Sequence, residues 1–158
     1  MKILIISDVH ANWHALQAVL AKESYDALIF LGDVVDFGPD PKNCVNFLMK
    51  SSKARFWGIR GGHDHALAFG TGSNCSEELR KISNISREWG ECFLSGEEVG
   101  FLRSSLSKGI FQWMGSTSRS PTARIHILIY FIIWPSGMKN LVSKLKINPE
   151  EMGSENSY

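Results

Sequence analysis

Short apolar runs that end in polar residues recur along the first 60 residues and predict alternating strands and helices. Residues 2–8 form a continuous apolar run with a polar end, which is typical of a central strand buried on both faces. Residues 27–31 and 54–59 repeat this pattern. Helical spacing follows the first run, with Asn12 as the N-cap, and continues after the second run over residues 41–50. Repeated strand–loop–helix units predict a parallel sheet with right-handed crossovers.

The rest of the chain predicts three more helices, one more strand and a flexible tail. Residues 76–84 have a helical pattern, and Ser95 to Glu98 read as a capping box that opens a helix to about Ser104. The most apolar segment, residues 125–134, is far shorter than the roughly 20 residues of a membrane helix, so we expect a buried strand. Residues 138–146 predict a weakly amphipathic helix, and residues 148–158 predict a flexible tail.

Composition places the chain among soluble domains. Of its 158 residues, 44% are hydrophobic and 21% charged, so we expect one domain over residues 1–147. The 17 basic and 16 acidic residues leave a net charge of +1, which supplies no general attraction for nucleic acid or an anionic membrane. Three cysteines without a Cys-x-x-Cys pair favour a reducing cytoplasm. The apolar run at residues 3–6 is too short for a signal peptide.

Polar side chains with catalytic potential follow the three predicted strands. Asp8 and His10 come after the first, Asp33 after the second, and His63 with Asp64 after the third. Parallel sheets place such positions at one edge. A carboxylate beside an imidazole suits a divalent metal, and a single carboxylate could bridge two ions. His63 could act as a general acid oriented by its neighbour. Taken singly, each residue could instead be a turn former or a hydrogen-bonded loop residue.

These positions carry a family resemblance. The segments 8–10 (Asp-Val-His), 32–33 (Gly-Asp) and 61–64 (Gly-Gly-His-Asp) resemble the first three motifs of the calcineurin-like metallophosphoesterases, in order and at similar spacing. The surrounding sequence resembles the small prokaryotic branch of that family, from residue 1 to about residue 105. The resemblance implies an α/β sandwich of mostly parallel strands with flanking helices.

The same resemblance implies a two-metal site that hydrolyses a phosphate mono- or diester with a metal-activated hydroxide. Carried over by position, Asp8 and His10 would hold the first ion and Asp33 would bridge both. His63 would protonate the leaving alcohol or contact the phosphate, with Asp64 orienting it. The expected cofactor is Mn²⁺, with iron, nickel, zinc and magnesium as alternatives.

The sequence departs from the family pattern where the second ion would bind. Gly62 stands where the family has an asparagine ligand, and Met114 stands where it has a histidine. Past position 65 the chain has one histidine, His126, and no Gly-His-x-His motif. We therefore expect one loosely bound ion and an incomplete fold at the C-terminus. Residues 99–147 also contain no Asp or Glu, which suggests a hypothesis of truncation or frame disruption after about residue 105.

Two functions from different classes follow. The first is a metal-dependent phosphoesterase, and the alternative is a catalytically impaired binding module on the same scaffold. Nucleic-acid binding by the basic residues after Val99 is a weaker third hypothesis. An incomplete sandwich would expose an apolar sheet face, so a homo-oligomer is expected and a membrane partner is not. The aromatic residues Phe56, Trp57, Trp89 and Phe101 are expected in the core.

Overall fold

The computed structural model describes residues 1–73 and 75–104, together with the two strands at 126–133 and 141–147. The strands are β1 (Lys2–Ser7), β2 (Ala27–Phe30), β3 (Phe56–Gly58), β4 (His126–Ile133) and β5 (Leu141–Ile147). The helices are α1 (Trp13–Lys22), α2 (Pro41–Ser51), α3 (Gly62–Phe69), α4 (Glu77–Phe93) and α5 (Gly96–Ser104). None of these helices is long and apolar enough to cross a membrane.

The strands form one sheet in the order β3-β2-β1-β4-β5. β1 pairs in parallel with β2 on one side and with β4 on the other, and β2 pairs in parallel with β3. β5 runs antiparallel to β4 at the edge. The predicted α/β fold with mostly parallel strands is therefore confirmed, and the carboxyl ends of β1, β2 and β3 meet at one edge.

The main core lies between the sheet and the helices. Leu4 and Ile6 of β1 and Phe30 of β2 pack there against Leu16 and Leu48. Successive side chains of a strand point to opposite faces, so Ile3 of β1 falls in a separate, smaller cluster. The continuous apolar run of β1 thus reflects its central place in the sheet.

The capping signals in the sequence are confirmed. The Asn12 side chain accepts a hydrogen bond from Ala15 N at 3.1 Å and begins α1. At α5, Ser95 N donates to Glu98 Oε2 at 2.7 Å, and Glu98 N donates back to Ser95 Oγ at 3.4 Å. Each pair satisfies backbone groups that a helix end leaves without intrahelical partners.

The structure corrects several predicted element boundaries. The helix predicted over 138–146 was wrong: residues 141–147 form β5, whose backbone pairs with β4. The alternating Lys and apolar residues near its end already carried a strand period. α4 extends to Phe93, well beyond the predicted 76–84, and α3, which begins at Gly62, was not predicted.

Two of the four aromatic residues expected in the core lie on the surface instead. Phe101 is buried and Phe56 is partly buried, but Trp57 is 42% exposed and Trp89 is 53% exposed. β3 is the edge strand of the sheet, which explains the exposure of Trp57. The predicted tail at 148–158 lies outside the described residues.

Candidate metal centre

The loops after β1 and β2 are bound to each other by backbone hydrogen bonds. Asp8 N donates to Gly32 O at 3.0 Å and His10 N donates to Asp33 O at 3.0 Å. Both loops use left-handed backbone conformations, which L-residues rarely adopt and which cluster at functional sites. The paired loops place the first two predicted ligands directly beside the third. The positive-φ residues are Asp8, His10, Ala11, Asp33, Asp36 and Phe37.

The third loop packs onto the second through two glycines. Gly32 has φ +105°, and a Cβ there would lie 2.7 Å from Gly61 Cα. A Cβ on Gly61 would collide with the carboxylate of Asp33. Both positions therefore require glycine, and this close approach brings the start of α3 against Asp33.

Asp8, His10 and Asp33 form the candidate metal group, since one ligand atom from each lies within 4.8 Å of the others. A carbonyl can only accept, so His10 Nδ1–H donates to Val35 O at 3.0 Å. His10 Nε2 is thereby left for a ligand, 3.8 Å from Asp8 Oδ1. Burial lowers the pKa of His10 and favours the neutral imidazole that metals require. This mixed nitrogen and oxygen set fits one divalent cation.

The described residues do not fit a second ion in the same way. Gly62 has no side chain to supply a ligand atom, and a Cβ there would meet nothing within 4 Å. Asp33 Oδ1 already accepts a hydrogen bond from His63 N at 2.8 Å. Within 1–73 and 75–104, the converging group has three members and no further carboxylate or imidazole joins it. Met114 and the His126 side chain lie outside the described residues.

His63 lies next to the metal group and is oriented by the carboxylate of Asp36, which the sequence did not predict as a site residue. Its ring centroid is 5.1 Å from that of His10, and its Nδ1 is 2.8 Å from Asp36 Oδ2. Burial by itself lowers the pKa of His63, but the hydrogen bond and charge of Asp36, together with the charge of Asp33, raise the pKa overall. Asp36 lies in a loop whose spacing to His63 carries no sequence signal.

The Asp64 carboxylate contacts backbone N–H groups of the neighbouring loops and not the His63 ring that it was expected to orient. Its side chain is fully buried, and Oδ2 accepts from Asp33 N at 2.8 Å and from Gly61 N at 3.0 Å, while Oδ1 accepts from Val34 N at 2.7 Å. Burial raises the pKa of Asp64 to about 6, although these backbone bonds act to lower it. Asp64 therefore holds the Asp33 loop to α3, and Asp36 takes its place in orienting His63.

A family model supports the assignment that this geometry suggests. The calcineurin-like phosphoesterase model matches residues 1–147. The chain belongs to the calcineurin-like phosphoesterase family. The match continues past residue 105, where the recognisable sequence motifs end. Members of this family hydrolyse phosphate esters with bound metal, and the Asp8–His10–Asp33 group is where this chain could bind such an ion.

Individual relatives are similar over part of their length. The uncharacterized protein MJ0912 of Methanocaldococcus jannaschii is 29% identical over 105 residues, which are 65% of this chain and 41% of that protein. A metallophosphoesterase from Sphaerobacter thermophilus has a TM-score of 0.54 and 33% identity, over 70% of this chain and 43% of its own. The hypothetical protein PH1004 from Pyrococcus horikoshii OT3 shares the fold, with a TM-score of 0.52 and 19% identity over 66% and 48%. This chain spans less than half the length of each relative.

Proposed function

We propose that the chain binds one divalent cation at Asp8, His10 and Asp33 and hydrolyses a phosphate mono- or diester there. The observation that carries this proposal is the convergence of three ligand atoms within 4.8 Å. The ring of His63 lies beside the same group, which supplies a proton donor at the point where a leaving alcohol would need one.

Each residue has a role that follows from its contacts. The ligand group supplies two carboxylates and one neutral imidazole. A bound cation would supply positive charge for phosphate oxygens and would lower the pKa of water at the site. His63 holds its proton on Nδ1 toward Asp36, so Nε2 is the atom that exchanges a proton with the substrate. Asp64 positions Asp33 and does not itself touch the reacting atoms.

Mn²⁺ is the ion that we propose for this site. One imidazole and two carboxylates are borderline and hard ligands, a set that suits Mn²⁺ and also admits iron, nickel, zinc or magnesium. Three protein ligands leave several coordination positions for water and phosphate. We expect weak binding, which dialysis against a chelator would reverse.

The test uses the full chain with Mn²⁺ and chromogenic phosphate mono- and diesters. Asp33→Ala should lose both bound metal and turnover. His63→Gln should keep the metal and lose turnover by about 10²-fold or more, as removal of a general acid does. His14→Gln makes the same substitution at an exposed position of α1 and should change neither. Turnover that survives in Asp33→Ala would contradict the proposal.

The alternative function is a binding module that keeps the metal or phosphate without turnover. The open space at Gly62 favours this alternative, because the second ion of the family has lost a ligand there. A chain that binds Mn²⁺ and inorganic phosphate, yet hydrolyses no ester above the level of Asp33→Ala, would support the module. The turnover measurement therefore separates the two functions, since both allow a bound metal.

We also propose a cytoplasmic location. Its support is that Cys44, Cys75 and Cys92 are all free thiols. Fractionation of cells that express the tagged chain would test it, and recovery outside the cytoplasm would contradict it.

A further inference from the structure

The buried carboxylate of Asp36 connects α4 with the site. Its side chain has no exposed surface, and its Oδ2 atom receives three donors. His63 Nδ1 and Ser83 Oγ each lie at 2.8 Å, and Arg87 Nη2 lies at 3.1 Å. Ser83 and Arg87 lie one turn apart on α4, far from Asp36 along the chain. The carboxylate that orients His63 is therefore itself held by a helix outside the metal group.

A buried carboxylate needs a partner charge, and α4 supplies it. The Arg87 side chain is only 10% exposed and forms an ion pair with Asp36. Removal of one partner of a buried pair leaves an uncompensated charge, so the pair is maintained together. Among the described residues Arg87 is the partner of this carboxylate whose charge does not depend on protonation in the ordinary pH range, unlike that of His63.

Ser83 and Arg87 also form hydrogen bonds with the segment that follows α3. Arg87 Nη1 donates to Thr71 O at 3.0 Å, and the Ser83 hydroxyl lies 2.9 Å from the hydroxyl of Ser73. α3 carries His63 in its first turn, and its other end leads into residues 71–73. α4 thus contacts both the hydrogen-bond partner of His63 and the chain that leaves its helix.

We propose that Arg87 and Ser83 are positioning residues for His63 and act through Asp36. The consequence for catalysis rests on the proposed function, in which His63 is the proton donor. The geometric part does not: α4 fixes the Asp36 carboxylate, and this carboxylate fixes the imidazole ring.

The first test is spectroscopic and independent of turnover. The Nδ1 proton of a histidine bonded to a carboxylate resonates downfield of the amides in a proton NMR spectrum. With Mg²⁺ as a diamagnetic ion, His63→Gln should remove this resonance and thereby assign it. Arg87→Met should shift or broaden it, Ser83→Ala should do so to a smaller extent, and Arg87→Lys should retain it. The exposed control Arg80→Met on the same helix should leave it unchanged.

The second test is kinetic. Arg87→Met should lower kcat by roughly 10-fold or more with KM within about 2-fold, because positioning residues act on the chemical step. If Arg87→Met does not fold, Ser83→Ala carries the comparison, since it removes one hydroxyl and keeps the ion pair. A resonance absent from the wild type, or unchanged in folded Arg87→Met or Ser83→Ala, would overturn the proposal. Absent turnover with the expected spectra would refute the proposed function alone.

A separate observation on α4 concerns its outer surface. The buried positions of this helix are polar or small, while large apolar side chains face solvent. Ile85 is 68% exposed and Trp89 is 53% exposed. We call these residues the α4 stripe: Leu79, Ile82, Ile85, Trp89 and Phe93. The stripe presents on the order of 500 Å² of apolar surface, toward the upper end for an ordinary monomer.

The charges that flank the α4 stripe point to a second copy of this chain as its partner. Lys81 and Glu88 are exposed and lie one heptad apart on the same edge of the helix. When two such helices pair antiparallel about a point between Asn84 and Ile85, Lys81 of each copy falls opposite Glu88 of the other. A standard homodimer interface buries about 800 Å² per partner, of which about 65% is apolar. The α4 stripe has the size of that apolar part.

We infer that the chain forms a homodimer through antiparallel α4 helices. By light scattering after size exclusion, the wild type should be a dimer at micromolar concentration and Ile85→Lys a monomer. Lys81→Glu and Glu88→Lys should each weaken the dimer by about 5-fold or more, and the double swap should restore it. A monomeric wild type, as expected if another segment or protein covers the α4 stripe, would overturn the inference. A swap that fails to restore the dimer would also overturn it.

Discussion

Asp64→Asn is the substitution that best tests how this site is built. The carboxylate is fully buried and accepts four backbone N–H groups, two on each oxygen: Gly61 and Asp33 on one, and Val34 and Val35 on the other. Asparagine keeps one oxygen and replaces the other with an NH₂ group. Whichever way the amide is turned, two backbone donors then face a donor.

The magnitude follows from those two lost bonds. Hydrogen bonds to a charged group contribute about 1.5–3 kcal/mol each, and buried donors without an acceptor are costly. Asp64→Asn should therefore lower the free energy of unfolding by about 3–6 kcal/mol, against roughly 5–15 kcal/mol for a whole domain. Because two of the donors belong to Asp33 and Val34, metal affinity should fall as well.

Urea unfolding followed by circular dichroism measures the first effect, and Mn²⁺ titration measures the second. Asp40→Asn is the matched control, because Asp40 caps α2 and asparagine caps equally well. The control should change stability by less than about 0.5 kcal/mol. If Asp64→Asn stays within about 1 kcal/mol of the wild type, this interpretation of the buried carboxylate is refuted.

Three other predictions concern single side chains. Gly62→Asn should fold with unchanged stability, because its Cβ meets nothing within 4 Å. The variant should also contain more Mn²⁺ than the wild type by mass spectrometry, and unchanged Mn²⁺ content would contradict the interpretation of this position. Asp36→Asn should move the pKa of His63 from above its ordinary value to below it, since burial then dominates. The alkaline limb of the pH–activity profile should therefore shift to lower pH, and NMR titration of His63 checks the direction of the pKa change. Burial raises the pKa of the Cys44 thiol, so iodoacetamide should modify exposed Cys92 roughly 100-fold faster than Cys44. Equal modification rates of the two thiols in the folded chain would contradict the burial of Cys44.

Much of the fold was predictable because its signals are local. The apolar run of β1, the Asn12 cap and the Ser95–Glu98 capping box depend on neighbours within a few residues. The helix predicted over 138–146 failed for the opposite reason, since the pairing of β5 with β4 decides its conformation. Trp89 was misplaced because α4 buries its polar face, which inverts the usual pattern.

The positions of the candidate site residues were predictable from the sequence, but their contacts were not. Residue type and position at strand ends were enough to predict that Asp8, His10, Asp33 and His63 lie close together, because parallel strands bring their carboxyl ends to one edge. The partner of each side chain was not predictable. Asp64 adjoins His63 in sequence, but helical geometry turns its carboxylate inward to the loop after β2.

The sequence by itself determined the parallel sheet and the residues gathered at its edge, because apolar periodicity and chain order act over short distances. Only the tertiary structure decided which carboxylate orients His63 and which helix supports that carboxylate. Asp36, Ser83 and Arg87 meet because α4 packs across the loops, and their separation along the chain has no fixed spacing. Because the Asp36 carboxylate is buried away from water, it requires hydrogen-bond donors and an opposite charge as partners.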